Sequence, residues 1–155
     1  MGISKGKPSK GTNILGKTFI SKSEKDTIAF SKEFSKKLKK GDVVFLVGDL
    51  GTGKTTFTKG LAKGLGVKRT VKSSSFLLAN EYAGTKIKLY HMDLYRLEGQ
   101  SIEGIGLEEY IFGDGVCVIE WADKIKKVNV PSGYYIYIDW VDESKRKIVI
   151  RSACR

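Results

Sequence analysis

The sequence predicts an α/β domain with three layers, in which a small, mainly parallel sheet is flanked by helices. One observation is the run VVFLV at Val43–Val47, which is typical of a strand buried on both faces of a parallel sheet. A second is that a glycine-rich segment and then a helical pattern follow this strand directly. A third is the order of the predicted elements, in which a helix, a strand, the glycine-rich loop and a second helix precede the remaining strands.

The remaining elements are predicted in chain order. Residues 1–17 contain four Lys and no acidic residue, so we expect a flexible basic tail ahead of one domain at 18–155. Apolar residues at four-residue spacing predict a helix over Glu24–Lys40, and another is predicted from Thr55 to Leu65. Further strands are predicted at Phe76–Tyr82, Lys86–His91, Val116–Glu120, Tyr134–Asp139 and Lys147–Arg151, the last two as a late antiparallel pair.

Composition narrows the classes of protein that the chain can belong to. Its 155 residues are the size of one ordinary domain, and two cysteines cannot form a disulfide framework or a zinc site. No apolar run approaches the roughly 18 residues of a membrane span. We therefore expect a cytoplasmic protein with no membrane partner. The net charge of +11 is compatible with an anionic partner, although the excess of Lys over Arg favours a Lys-rich solvated surface as the explanation.

The glycine-rich segment carries the main functional signal. Residues Gly48–Thr55 read GDLGTGKT and match the phosphate-loop pattern G-x-x-x-x-G-K-[ST]. Glycines let successive amides point into one anion site, and the following helix adds its partial positive charge. Lys54 can reach the β- and γ-phosphates, and the Thr55 hydroxyl can bind Mg²⁺. The predicted nucleotide-binding residues of this segment are Gly48, Asp49, Leu50, Gly51, Thr52, Gly53, Lys54, Thr55 and Thr56.

The predicted cofactors are ATP and Mg²⁺. The chain lacks the Asn-Lys-x-Asp string that reads guanine, which favours ATP over GTP. A phosphate loop also needs an acidic residue at the end of another strand to complete the metal shell. Asp93 and Glu120 both qualify: Glu120 is favoured for the metal or for ordering water, and Asp93 for the outer shell or a share of this work. The predicted catalytic residues are Lys54, Asp93 and Glu120.

Five segments together resemble a known family. They are GDLGTGKTT at Gly48–Thr56, NEY at Asn80–Tyr82, HMDLYRL at His91–Leu97, GLEEY at Gly106–Tyr110 and VIEWAD at Val118–Asp123. In this order and spacing they are similar to the TsaE (formerly YjeE) family, the ATPases of bacterial tRNA threonylcarbamoyladenosine synthesis. The resemblance implies a P-loop ATPase of low intrinsic activity that acts as a nucleotide switch on a TsaB–TsaD complex and meets tRNA only through that complex.

The resemblance also implies roles for individual residues. Thr55 and Glu120 would contact Mg²⁺, and Asp93 would be needed for hydrolysis. Glu24, early in the first helix, would lie by the nucleotide. A basic residue of the final hairpin would do so too; Lys145 matches best, and Arg146 is the alternative.

One segment departs from the family pattern. The family's Ser-Pro-Thr-Phe switch is replaced by Ser73-Ser74-Ser75-Phe76, so the proline that restricts the backbone is missing. The Ser75 hydroxyl could still reach Mg²⁺ or the γ-phosphate.

Three further side chains allow two interpretations each. His91, the only histidine, is expected to be packed or hydrogen-bonded, with proton transfer as the alternative. Arg96 is expected to pair with the Asp93 loop, with a contact to phosphate as the alternative. Trp121 could pack in the core or over the nucleotide.

Two other functions remain open at this stage. One is a P-loop kinase of a small metabolite, against which the lack of an Arg-rich lid counts weakly. The other is a non-enzymatic RNA-binding module that holds a nucleotide only for stability.

Overall fold

The structure is a computed structural model that describes residues 14–72, 79–95, 108–124 and 129–153. Its strands are β1 (Thr18–Ser21), β2 (Val43–Val47), β3 (Ala79–Tyr82), β4 (Leu89–Asp93), β5 (Val116–Glu120), β6 (Gly133–Trp140) and β7 (Arg146–Ser152). Its helices are α1 (Glu24–Phe34), α2 (Lys54–Gly64) and the short α3 (Glu108–Ile111). Single 3₁₀ turns lie at Ser35–Lys37 and Ala122–Lys124.

The described strands form a seven-stranded sheet in the order β1-β7-β6-β2-β5-β4-β3. The central strands β6, β2, β5 and β4 pair in parallel, whereas β3 on one side and β7 and β1 on the other pair antiparallel. Leu46 of β2 and Asp93 of β4 are both in register with Glu120 of β5. The carboxyl ends of these three strands therefore meet at one edge of the sheet, where α/β proteins bind their ligands.

Two apolar clusters cover the two faces of the sheet. On one face, Phe34 of α1 and Phe57 of α2 pack in the same cluster as Val44 and Leu46 of β2. On the other face, Ile111 of α3 and Ala122 pack with Phe45 and Ile119. The prediction of a three-layer α/β domain with a mainly parallel central sheet and a late antiparallel pair, β6 and β7, is confirmed.

The amino-terminal part of the fold differs from the prediction. Residues 14–17 were assigned to the tail, but Ile14 is buried and the Gly16 amide donates to the Ile150 carbonyl at 2.7 Å. Strand β1 was not predicted, because only one of its two inward-facing residues, Phe19, is apolar; the other is Ser21. Residues 1–13 of the predicted tail lie outside the described residues.

Helix α1 is also shorter than predicted, since it ends at Phe34 instead of Lys40. The backbone tightens into a 3₁₀ turn, where the Ser35 hydroxyl donates to the Lys32 carbonyl at 2.5 Å. Leu38 is then extended, yet it is buried in the same cluster as Phe34. The four-residue spacing therefore located the buried residues correctly but not the end of the helix.

Helices α1 and α2 approach each other closely at Gly60. A Cβ atom at this position would lie 2.6 Å from the Ile28 carbonyl oxygen and would also overlap the Ser31 hydroxyl. The hydroxyl can rotate away, but the backbone carbonyl can move only with α1. The helix pair therefore depends on the absence of a side chain at residue 60.

We expect Gly60→Val to lower the free energy of unfolding by about 2–3 kcal/mol, because the added methyl groups force α1 away from α2. Denaturant unfolding measures this change. Lys63→Val, at an exposed position of the same helix, is the control and should change stability by less than about 1 kcal/mol. Equal effects of the two substitutions would contradict the close-packing explanation.

Candidate nucleotide-binding site

A cavity of about 500 Å³ opens at the carboxyl edge of the sheet. Residues from five parts of the fold line it: the start of α1, the phosphate loop with the start of α2, the ends of β4 and β5, and the β6–β7 hairpin. They are Lys22, Ser23, Glu24, Thr27, Leu50, Gly51, Thr52, Gly53, Lys54, Thr55, Thr56, Asp93, Glu120, Trp121, Glu143, Ser144 and Arg146. The volume lies within the usual range for small-molecule sites.

The phosphate loop curls between β2 and α2. Gly51 and Gly53 have φ angles of +79° and +105°, which side-chain-bearing residues rarely adopt. The Thr52 hydroxyl and amide both donate to the Asp49 carbonyl, at 2.9 and 3.3 Å, and close the turn. Gly53 provides no side-chain cap for α2, and the first turn of this helix carries no acidic residue. The first amides of α2 thus remain available to an anion.

Lys54 is folded back onto the loop that precedes it. Its Nζ donates to the carbonyl oxygens of Gly48 and Asp49, at 2.6 and 2.8 Å, and lies 3.8 Å from the centre of the Trp121 ring. Burial lowers the pKa of Lys54 below its ordinary value, while nearby carboxylates, Glu120 foremost, act in the opposite direction. The ammonium group is thus held beside the cavity.

Glu120 is buried at the end of β5, and two neighbouring elements supply its hydrogen bonds. The Thr55 hydroxyl of α2 donates to Oε1 at 2.9 Å, with Oε2 at 3.3 Å. His91 Nε2 of β4 contacts Oε2. Asp93 lies across the parallel strand pair from Glu120 and lines the same cavity. The interpretation of His91 as a packed, hydrogen-bonded residue is confirmed.

These oxygen atoms fit a small, hard cation. The Thr55 hydroxyl and the Glu120 carboxylate are within hydrogen-bond distance of each other, and Asp93 lines the same cavity. Among the described residues, no group of three or more His, Cys, Asp or Glu side chains could hold a metal alone. Mg²⁺ usually binds through one or two protein oxygens together with phosphate and water, and the residues present fit that pattern.

Comparison with known proteins identifies the family. The family model described as "Threonylcarbamoyl adenosine biosynthesis protein TsaE" matches residues 21–148. The chain belongs to the TsaE family. The protein named tRNA threonylcarbamoyladenosine biosynthesis protein TsaE from Bacillus subtilis (strain 168) is 46% identical over 123 residues, which cover 79% of this chain and 77% of that protein. Its namesake from Aquifex aeolicus (strain VF5) is 41% identical over 138 residues, covering 88% of this chain and 96% of its own.

A solved structure agrees with this membership. The crystal structure of YdiB from Bacillus subtilis matches with a TM-score of 0.68 at 35% identity, over 88% of this chain and 84% of the other. In the part of the TsaE-family chain that the structure describes, no helix is long and apolar enough to cross a membrane.

The structure brings most of the predicted site residues of this TsaE-family chain together. Glu24, the loop from Leu50 to Thr56, Asp93 and Glu120 all line one cavity. Gly48 and Asp49 come just before the lining segment of the loop, and their carbonyl oxygens accept hydrogen bonds from Lys54 Nζ. Ser75 lies outside the described residues, as do the Ser73–Phe76 segment and Arg96.

Of the two basic residues considered for the hairpin, Arg146 lines the cavity and Lys145 does not. Lys145 is about half exposed, its Nζ is 3.9 Å from Asp142 Oδ2, and it does not line the cavity. Arg146, the alternative, does line it. Its guanidinium is stacked 3.8 Å from the centre of the Trp140 ring and donates to the Gly51 carbonyl at 3.4 Å. The two residues are adjacent in sequence, and only the path of the hairpin distinguishes them.

Several lining residues were not found from the sequence. Lys22, Ser23 and Thr27 reach the cavity because β1 places the start of α1 there, and β1 itself carried no clear strand pattern. Trp140 was not singled out, although it packs on Gly51 and Arg146. Trp121 has a φ of +61°, an uncommon conformation for a bulky residue that often marks functional sites. No sequence signal indicates that conformation.

If the cavity binds ATP, Arg146→Ala should weaken ATP affinity by about tenfold or more, because it removes a cation from the cavity and a contact between the hairpin and the phosphate loop. Isothermal titration measures the affinity. Lys145→Ala removes the same charge one residue earlier and should change the ATP affinity little. A larger effect of Lys145→Ala would restore the original assignment.

Proposed function

We propose that this TsaE-family chain binds ATP with Mg²⁺, hydrolyses ATP slowly, and is required for threonylcarbamoyl modification of the tRNA adenosine next to the anticodon. In this proposal it acts as a nucleotide switch on a complex of TsaB-like and TsaD-like proteins in the cytoplasm. The observation that supports it most is the convergence of the phosphate loop, Asp93 and Glu120 on one cavity in a chain with this family membership.

The phosphate loop would bind the triphosphate. Its glycines allow the backbone to turn, the start of α2 has no side-chain cap, and Gly53, Lys54 and Thr55 line the cavity. Lys54 would exchange its bonds to the Gly48 and Asp49 carbonyls for phosphate oxygens, which accept more strongly because they are charged. Binding of ATP would therefore change the conformation of the loop as well as fill the cavity.

Thr55 and Glu120 would hold Mg²⁺. The ion, when bound, neutralises negative charge on the phosphates and on the leaving oxygen. Glu120 keeps its carboxylate at the end of β5, and Asp93 on the neighbouring strand would orient the attacking water. Arg146 is engaged by Trp140 and by hairpin carbonyls, so it does not act as a free arginine finger. We therefore expect hydrolysis to be slow in the absence of a partner.

The site lies at the surface, where a partner could complete it. Leu50 of the phosphate loop is 74% exposed, and Trp140 beside Gly51 is 48% exposed. Exposed apolar groups at the rim of a nucleotide site are suited to a protein partner that senses the state of the loop. The names of the relatives place them in tRNA threonylcarbamoyladenosine biosynthesis, and we extend that role to this chain.

We expect Glu120→Ala to reduce ATP turnover by about a hundredfold, since it removes a carboxylate that would hold the metal at the reacting phosphate. Binding of ATP without Mg²⁺ should remain close to that of the unmodified chain. Phosphate release and calorimetry measure the two properties. Asp123→Ala, which removes an exposed carboxylate nearby, is the control. Unchanged turnover in the Glu120 variant would refute its role.

We expect ATP to control binding to a TsaD-like partner, because the nucleotide reorders the loop that carries Leu50. A pull-down with purified TsaB-like and TsaD-like proteins should retain more of the chain with ATP and Mg²⁺ than without nucleotide. Lys54→Ala should lose this dependence. Turnover stimulated by a small metabolite, with no response to these partners, would instead support a kinase.

A further inference from the structure

The only histidine of the chain contacts the carboxylate on which the proposed metal site depends. His91 lies in β4, and its side chain has no exposed surface. Its Nε2–H donates to Oε2 of Glu120, whose side chain is 2% exposed. The Thr55 hydroxyl donates to Oε1 of the same carboxylate at 2.9 Å. The same hydroxyl also lies 3.3 Å from Oε2. Glu120 is thus held by two donors, one from β4 and one from α2.

We infer that His91 is a positioning residue for Glu120: its Nε2–H holds Oε2, so that the carboxylate stays in contact with the Thr55 hydroxyl. The inference rests on the proposed function, in which Thr55 and Glu120 hold the ion. The terminal torsion of a glutamate has a broad energy profile, so the carboxylate plane is set by its partners. A donor behind a metal-binding carboxylate fixes its orientation and affects metal affinity.

The strand register brings the two groups together. In the parallel pair of β4 and β5, His91 lies opposite Val118, and Asp93 lies opposite Glu120. His91 and Asp93 are two residues apart in one strand, so their side chains emerge on the same face. His91 therefore reaches Glu120 diagonally, and Asp93 keeps its place in the cavity lining.

Packing alone does not explain the buried ring. Within the described ranges, Nδ1 of His91 is a buried nitrogen with no hydrogen-bond partner. An apolar side chain would fill this space without burying an unpaired polar atom, which is unfavourable. Among the described residues, the hydrogen bond between Nε2 and Glu120 is a contact of the ring that an apolar residue could not replace.

A pair of amide substitutions separates this role from packing. The side-chain nitrogen of glutamine can occupy the position of Nε2, whereas that of asparagine corresponds to Nδ1 and falls short of Glu120. We expect His91→Asn to raise the Mg²⁺ concentration needed for half-maximal ATP binding by about tenfold or more. His91→Gln should recover most of this loss. ATP affinity measured in EDTA should be the same in all three proteins.

The outcomes distinguish the inference from the proposed function. If the unmodified chain binds ATP with Mg²⁺ and His91→Asn has the same Mg²⁺ dependence, the inference fails and the proposed function stands. Equal losses in the Asn and Gln variants would also overturn it, because they indicate packing. A chain with no Mg²⁺-dependent ATP binding would overturn the proposed function itself.

Nuclear magnetic resonance tests the contact in the unmodified chain without nucleotide, so the protonation of Nε2 is measured without any variant. A single histidine gives a single imidazole spectrum. We expect Nε2 to be protonated, with a slowly exchanging proton whose signal moves in Glu120→Ala. An Nε2 without a proton, or a signal that Glu120→Ala leaves unchanged, would overturn the inference.

Discussion

The buried carboxylate of Glu120 must be paired, and this requirement connects three elements of the fold. A carboxylate out of contact with water is unfavourable unless donors surround it. One donor, the Thr55 hydroxyl, comes from the first turn of α2, and the other, His91, comes from β4. The bonds hold the phosphate loop against the ends of two neighbouring parallel strands. The parallel register of β4, β5 and β2 places the three strand ends at one level, so that these bonds can form.

The loop conformation depends on a second set of contacts, all centred on Lys54. Its ammonium group binds two carbonyls of its own loop and rests on the Trp121 ring. These contacts compensate part of the cost of burying a cation. An anion would compete for the same ammonium group. In the proposed switch, ligand binding is therefore coupled to the shape of the loop and, through exposed Leu50 and Trp140, to the surface that a partner would meet.

Sequence patterns located the parts of the site that depend on residues close to one another in the chain. The loop from Gly48 to Thr55 follows a buried strand and precedes a helix, and the structure contains both elements. Asp93 and Glu120 were expected at strand ends and lie there. Sequence patterns did not distinguish neighbouring side chains with similar properties. Lys145 and Arg146 are both basic, and the turn of the β6–β7 hairpin decides which one reaches the cavity. Strand β1 was missed because buried Ser21 interrupts the apolar alternation.

By itself, the sequence determined the fold class, the phosphate loop and the two carboxylates, because each depends on residue type and short-range spacing. Only the tertiary structure decided the contact of His91 with Glu120, the positive φ of Trp121, and the approach of Arg146 to Gly51. These features join residues that are far apart in the chain or depend on a backbone conformation that surrounding packing imposes. Periodicity describes residues that are close in the sequence, and composition describes the chain as a whole. Neither one shows which distant residues come into contact or which backbone conformation the surrounding packing imposes.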